Sequence, residues 1–468
     1  MYYRLNEDLR LRGWKLLPTG IARKLSGKVE FVSPKVFRAL QKALVPLPRD
    51  SPLFSPEECG ALEQLLAEGI LEESGHPAPL TEQQAYRTYP NRFLRSVHWA
   101  VTGKCNARCR HCCLSAPKRT DMQDEAGEFS HEECLEIVRQ MEAAGVRTVS
   151  LTGGEALARP DFFEIVDALL AADILVTAIL SNGLLVNEGT LGELERRGIR
   201  PEIHMSFDGV GCHDWLRGVE GAEAAVARAF SLCRERGFPT GAAYCLHRGN
   251  IHALAESVRL LASLGVSSLK VTRLRIEGEA EGIPDEAISC DEEFRAYLDY
   301  IPRFFEDGAP INLLLAGFFS YRGGSCGIPF VKHEEGSDCG NLCLCGHARN
   351  RMYITPEGFM VPCISMGSTA GGRRRFPNIR ETPLADALCG SFYMDFIDTR
   401  LAEYFAHNPG CAACEYRNRC AGGCRGNVDM GGDDGDDLLA RDEDTCRFFQ
   451  GGWYDRLADL LKKIGARI

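Results

Sequence analysis

The chain has 468 residues, 45% of them apolar, and a formal net charge of −11. That length suggests two to four domains with an ordinary buried core; no apolar run approaches the roughly 20 residues that cross a bilayer, and the acidic balance speaks against a nucleic-acid binder. The N-terminal MYYRLNEDLR has no signal-peptide apolar core, so a cytoplasmic protein without a membrane partner is expected, and its 21 cysteines are not a disulfide framework there.

Residues 1–95 read as a separate module. Its first 50 residues carry 11 Lys and Arg against 4 Asp and Glu. Short apolar segments broken at Gly13, Pro18-Thr19-Gly20 and Ser26-Gly27 predict a small β-hairpin. Ser33-Pro34 and Ser55-Pro56-Glu57-Glu58 each open a helix, with serine as N-cap and proline in the first turn. The second helix ends at Gly69 before a short strand. This order resembles winged-helix folds and the peptide-recognition element of enzymes that modify ribosomal peptides. The polar residues 73–91, with Pro77, Pro79 and Pro90, read as a linker.

From Ser96 strand and helix patterns alternate. Six strands are expected at 97–102, 146–151, 174–180, 202–207, 240–246 and 269–276. Such alternation means βα units with a parallel sheet. Six units make an open, partial (β/α)6 barrel over residues 96–310, whose site belongs at the C-terminal strand ends. The first strand leads into Cys105-Asn106-Ala107-Arg108-Cys109-Arg110-His111-Cys112, a C-x3-C-x2-C loop. Three thiolates can ligate three irons of a four-iron cube and leave the fourth open for a small molecule. A structural zinc site would normally bring four ligands in paired knuckles. Other strand ends carry polar turns: Thr152-Gly153-Gly154-Glu155, Ser181-Asn182-Gly183, and Ser206 with Asp208 in HMSFDG, followed by Arg217 in HDWLRG. Two glycines allow close backbone approach, and a carboxylate can pair with an ammonium.

Residues 311–468 concentrate cysteine again. Cys345 and Cys363 flank a hairpin pattern turning at Pro356-Glu357-Gly358. Cys411-x2-Cys414-x5-Cys420-x3-Cys424 follows, and Cys446 comes after 21 intervening residues. Cys339 and Cys343 precede the set. Arg373-Arg374-Arg375 reads as a basic surface loop and residues 433–437 as a solvated acidic one.

The C-x3-C-x2-C loop and the polar strand ends resemble the radical S-adenosylmethionine (SAM) family, and the later cysteines are similar to its SPASM extension. The resemblance spans about residues 96–450. It implies that the open iron is chelated by SAM, which is cleaved to a 5′-deoxyadenosyl radical that abstracts hydrogen from substrate. It further implies that Gly153, Gly154 and Glu155 meet the SAM amino group, Ser181 and Asn182 the ribose, and Arg217 the carboxylate. Ser206 and Asp208 complete the pocket, and the backbone around His111 meets adenine. Two auxiliary clusters are implied, one on Cys339, Cys345, Cys363 and Cys424, the other on Cys411, Cys414, Cys420 and Cys446. That makes three 4Fe-4S clusters in all, with Cys343 as the other candidate for the eighth auxiliary ligand. The expected partners are a precursor peptide and an electron donor such as flavodoxin or ferredoxin. The expected reaction is maturation of a ribosomally made peptide, by a thioether or carbon cross-link or by epimerisation, its acidic leader docking on the basic N-terminal module. The alternatives are a sulfatase-maturing, formylglycine-forming enzyme and a non-catalytic iron–sulfur electron carrier.

Overall fold

The structure, a computed structural model, describes residues 1–114, 128–333, 339–346, 348–367, 373–428 and 437–466. The expected acidic loop falls outside these residues apart from Asp437, and the basic loop is described only from Arg373.

The N-terminal module contains strands β1 (Tyr2–Leu5), β2 (Leu9–Lys15), β3 (Leu17–Arg23), β4 (Val29–Phe31), β5 (Leu71–Ser74) and β6 (Arg87–Arg92). Helices Pro34–Ala43 and Pro56–Ala67 form where the Ser-Pro signals stand. Ser33 and Ser55 accept from the Val36 and Glu58 amides, and Glu58 closes a capping box. The strands make a sheet of order β4-β3-β2-β6 and a separate β1-β5 pair. The expected linker is therefore not a linker. Its first residues belong to β5 and its last to β6, which runs parallel to β2.

The module does not stand apart either. Trp14 Nε1 and Asn91 Nδ2 both donate to the Ala144 carbonyl, at 3.2 and 3.0 Å, and Arg10 pairs with Asp173 at 2.9 Å. Ala144 and Asp173 lie just before barrel strands, so the module sits beneath the barrel, at the end opposite the cysteine loop. Its basic excess is also spent internally. Arg4, Arg23, Lys28, Lys35, Lys42 and Arg49 pair with acids of the module, Arg10 and Lys24 with Asp173, and buried Arg12 donates to the carbonyls of Leu11, Gln83 and Ala85. Over residues 1–95 the count is 14 basic against 11 acidic side chains. Exposed pairs stabilise little, but they cancel the field that the first 50 residues alone suggest.

The barrel strands are β7 (Ser96–Ala100), β8 (Thr148–Thr152), β9 (Leu175–Ser181), β10 (Glu202–Ser206), β11 (Thr240–Leu246) and β12 (Ser268–Arg273), matching the six expected. The sheet continues beyond them with β13 (Asn312–Leu315), β14 (Phe319–Arg322) and β15 (Ser325–Gly327) on one side, and β16 (Arg351–Ile354) and β17 (Met360–Val361) on the other. The order is β15-β14-β13-β12-β11-β10-β9-β8-β7-β16-β17, parallel from β7 to β13 and with β16 parallel to β7. The ends do not pair, so the barrel is open. No break in the sheet occurs at residue 310, because β13 pairs directly with β12.

Alternation along the strands sorts the two faces. Val97, Trp99, Val149, Leu151, Ile203, Met205, Leu269 and Val271 are buried in the core cluster shared with the helices. Between them stand Ser96, His98, Ser150, Glu202, His204, Ser268 and Lys270, which face the lumen. Helices His131–Ala143 and Cys290–Glu306 start at capping boxes on Ser130 and Ser289. Among the described residues no helix is long and apolar enough to cross a membrane.

Candidate active site

The cysteine loop leaves β7 and is held from two sides. From β8, Gly154 N donates to Thr102 O and Glu155 N to Lys104 O, both at 2.8 Å. A Cβ on Gly153 or Gly154 would lie 2.3 Å from the Thr102 or Lys104 carbonyl oxygen, so the glycines let this turn press against the loop backbone. From the far side comes the helix His213–Arg217. Arg108 N and Arg110 N donate to its Arg217 and Leu216 carbonyls at 3.1 and 2.8 Å. Arg110 reaches further, donating from Nε to Trp215 O at 3.0 Å and stacking its guanidinium 5.0 Å from the Trp215 ring.

Donors converge on the sulfurs. Ala107 N lies 3.4 Å from Cys105 Sγ, Asn182 Nδ2 3.7 Å from the same sulfur, and Arg217 Nη1 3.6 Å from Cys109 Sγ. Asn182 also donates to Asn106 Oδ1 at 2.7 Å, which ties the end of β9 to the loop. Burial pushes the Cys105 thiol up to about 11 and raises Cys109 as well, so a bound cation is what would bring these sulfurs to the thiolate form. Among the described residues no three Cys, His, Asp or Glu side chains meet as ligands of one metal ion. Cys109 and Cys112 lie near enough to Cys105 to raise its thiol further, and cysteines so gathered, with donors aimed at two of their sulfurs, fit a larger inorganic core.

Two buried carboxyls brace the site. Glu155 is completely buried and accepts from Leu157 N, Ser181 Oγ and Asn182 N at 3.2, 3.0 and 2.7 Å. Burial pushes it up to about 7 against those hydrogen bonds. Its carboxyl joins the ends of β8 and β9. Asp208 is equally buried. It receives Arg217 Nε at 2.7 Å and Cys245 N at 2.8 Å. Burial alone would raise its carboxyl, but the Arg217 guanidinium and the His213 contact outweigh it and hold Asp208 well below the usual carboxylate range. His213 Nδ1 lies 3.0 Å from the Asp208 amide nitrogen and 3.3 Å from its carboxylate. Arg217 therefore bridges Asp208 and the Cys109 sulfur. Ser206 is half-buried at the end of β10, and His111 is pushed down to about 4 by burial, its Nδ1 buried without a protein partner.

The C-terminal cysteines fall into two sets. Cys411, Cys414, Cys420 and Cys446 line one cavity of about 290 Å³ together with Tyr404 and Phe449. Burial raises Cys420 to about 12, and the Tyr404 hydroxyl lies 3.4 Å from Cys411 Sγ. In the other set Cys363, raised by burial to about 12, has Cys424 and Cys345 beside it. Cys339 packs with Leu344, Leu401, Tyr404 and Ala421, and its thiol donates to Asn418 Oδ1 at 3.3 Å. Cys343 accepts from Arg400 at 3.1 Å. Buried Arg425 staples this region by donating to the Leu438 and Ala440 carbonyls at 3.1 and 2.6 Å.

Sequence reasoning passed over Asn106, Arg108, Arg110 and His213. Asn106 carried a signal, since it stands inside the cysteine motif. The others act through backbone or through a ring buried behind the site, and no spacing rule announces that.

Fold and site define a protein with a radical SAM barrel and an iron–sulfur extension. The radical SAM superfamily profile matches residues 99–261, and the SPASM iron–sulfur cluster-binding domain matches residues 343–415. Residues 99–261 therefore carry a radical SAM domain and residues 343–415 a SPASM domain, and the donor set above fits SAM and 4Fe-4S binding. Its relatives include the AdoMet-dependent heme synthase of Nitratidesulfovibrio vulgaris, 26% identical over 72% of this chain and 89% of that protein. The PqqA peptide cyclase of Granulibacter bethesdensis is 24% identical over 69% of this chain and 80% of its own length. Among solved structures, Streptococcus suis SuiB bound to precursor peptide SuiA shares the fold over 91% of this chain and 96% of that one, with a TM-score of 0.64 at 16% identity.

Proposed function

We propose that this enzyme modifies a ribosomally made precursor peptide, beginning with hydrogen abstraction from the core peptide. The observation that carries the reading is the N-terminal module. The fold shared with SuiB spans 91% of this chain, and that protein's structure holds its precursor peptide. The cyclase of Granulibacter bethesdensis is likewise named for a peptide. The heme synthase relative supports a second reading, a tetrapyrrole substrate.

Cys105, Cys109 and Cys112 would hold a 4Fe-4S cluster, which would supply the electron for SAM cleavage. The chain's own groups hold those sulfurs: Asn182 and Arg217 donate to them, and Asp208 keeps Arg217 aimed. Gly153, Gly154, Ser181, Ser206 and the backbone near His111 are proposed to receive SAM, with Glu155 contributing through its backbone and as a brace. Cys339, Cys345, Cys363 and Cys424 are proposed for one auxiliary cluster and Cys411, Cys414, Cys420 and Cys446 for the other, making three in all. A flavodoxin- or ferredoxin-like donor is the proposed reductant.

Leader capture is assigned to an open sheet edge rather than to charge. β4 is an edge strand. Arg23 N bonds to Lys28 O and Val32 N to Thr19 O, so Val29 and Phe31 turn their amides outward, ready to pair with an added strand. The test incubates the reconstituted enzyme, SAM and reductant with short peptides encoded beside its gene, read by mass spectrometry in H2O and D2O. Loss of hydrogens or deuterium uptake is expected for one of them. Val29→Pro removes an outward amide without touching the β3 ladder and should slow that modification while SAM cleavage continues. Turnover of a tetrapyrrole with no peptide altered would replace the reading.

A further inference from the structure

The lumen of the barrel holds side chains that neither SAM nor the clusters use. Parallel sheets covered on both faces run apolar on both. Here the lumen face of β7, β8, β10 and β12 carries His98, Ser150, Glu202, His204 and Lys270. His98 Nδ1 lies 2.7 Å from Ser150 Oγ, and its ring centroid is 5.6 Å from that of Tyr353 on β16. Its Nε2 is buried and has no partner. Three cationic or basic groups face this ring: Arg351, Lys270 and His204. Glu202 lies 3.7 Å from His204 and offsets it. Lys270 and Arg351 have no acidic partner among the described residues. Gly241 preserves this arrangement, since a Cβ there would lie 2.4 Å from His204 Nδ1.

A buried nitrogen without a partner is destabilising, and the exposed Lys270 and Arg351 bring positive charge that draws anions to this opening. Burial, reinforced by those cations, pushes His98 down to about 4, so the ring is neutral at ordinary pH. With Nδ1 engaged by Ser150 Oγ, Nε2 is the ring nitrogen left to meet a ligand, as a donor when it carries the proton. We propose that the lumen binds substrate through a carboxylate, held by Lys270 and the Nε2–H of His98, with Arg351 adding to the field. The inference rests on the peptide reading and narrows it: the peptide carries Asp or Glu at or beside the modified residue. His98 stands two residues before the end of β7, the strand that runs into the cysteine loop, so a carboxylate held there sits beneath the reacting centre.

The test is a ligand-observed NMR titration of the full-length enzyme, reconstituted with clusters and SAM, against N-acetyl-Ala-Glu-Ala-amide, its glutamine counterpart and coproporphyrin III. The glutamate peptide should bind about tenfold more tightly than the glutamine peptide, as a charge-assisted bond implies. Lys270→Met should remove that preference, Lys270→Arg should keep most of it, and His98→Asn should reduce it severalfold. Unchanged iron content and melting temperature would show that the Lys270→Met fold is intact. Equal binding of both peptides, or a preference that survives Lys270→Met, overturns the carboxylate site while leaving the peptide reading. Lys270-dependent binding of the porphyrin with neither peptide bound keeps the site and overturns the peptide reading.

Discussion

The two cysteine-bearing regions are held in place by different means. The loop from Cys105 to Cys112 hangs between the ends of β7, β8 and β9 and the helix His213–Arg217, and backbone hydrogen bonds clamp it on both flanks. The C-terminal cysteines stand on short pieces: helices Pro409–Ala412 and Arg417–Cys420 have four residues each, and Cys424 opens a 3-10 turn. A scaffold of long strands can present thiolates by itself. One made of single turns depends on what the thiolates bind, as in small metal-dependent domains.

The strongest test of that contrast replaces Cys105, Cys109 and Cys112 together with alanine. Production of 5′-deoxyadenosine should fall to background and iron content by about four per chain, while the barrel keeps its fold. Undiminished 5′-deoxyadenosine would remove the assignment of this loop. Stripping iron from the intact enzyme with a chelator should then act on the other region. Limited proteolysis is expected to open residues 339–446 while β7 to β12 stay protected, and equal protection would show that the C-terminal part holds itself.

Single cysteines sharpen the contrast. Cys339→Ala should change the electronic spectrum of an auxiliary cluster, whereas Cys343→Ala, which loses only a contact from Arg400, should not. The reverse result would exchange their roles. In the clamped region, Asp208→Asn leaves the Arg217 guanidinium short of its partner. A broken buried pair costs about 3–5 kcal/mol, so a clear drop in melting temperature is expected, and none would mean that water reaches Arg217.

The smallest effect concerns Glu155. Its carboxyl titrates near 7 in the fold, above its ordinary value of 4.5. A raised carboxyl contributes stability at low pH that is lost as pH rises through about 7. The gap in melting temperature between wild type and Glu155→Gln should therefore shrink from pH 5 to pH 8, by the equivalent of about 2–3 kcal/mol. A constant gap would mean that Glu155 is ionised throughout.

Much of this was written in local patterns. The C-x3-C-x2-C spacing, the glycine turn after β8, the capping boxes at Ser130 and Ser289 and the strand–helix alternation are all decided within a few residues, so they could be read in one dimension. The lining of one cavity by Cys411, Cys414, Cys420 and Cys446 also follows their spacing. What lies between distant segments could not be read that way. The stretch expected as a linker became β6 because β2 offered it an edge, and β13 joined β12 across the expected domain boundary. Most of the basic side chains of residues 1–50 gained acidic partners once Glu57, Glu58, Glu63, Glu72 and Asp173 came within reach. The bracing of Glu155 by Ser181 and Asn182 was not legible either, because only the fold brought those residues to it. His98 and Lys270 stand more than 170 residues apart and have meaning only as neighbours across an open lumen. Spacing and capping act within one or two turns of chain, whereas pairing, charge cancellation and a shared cavity act through space.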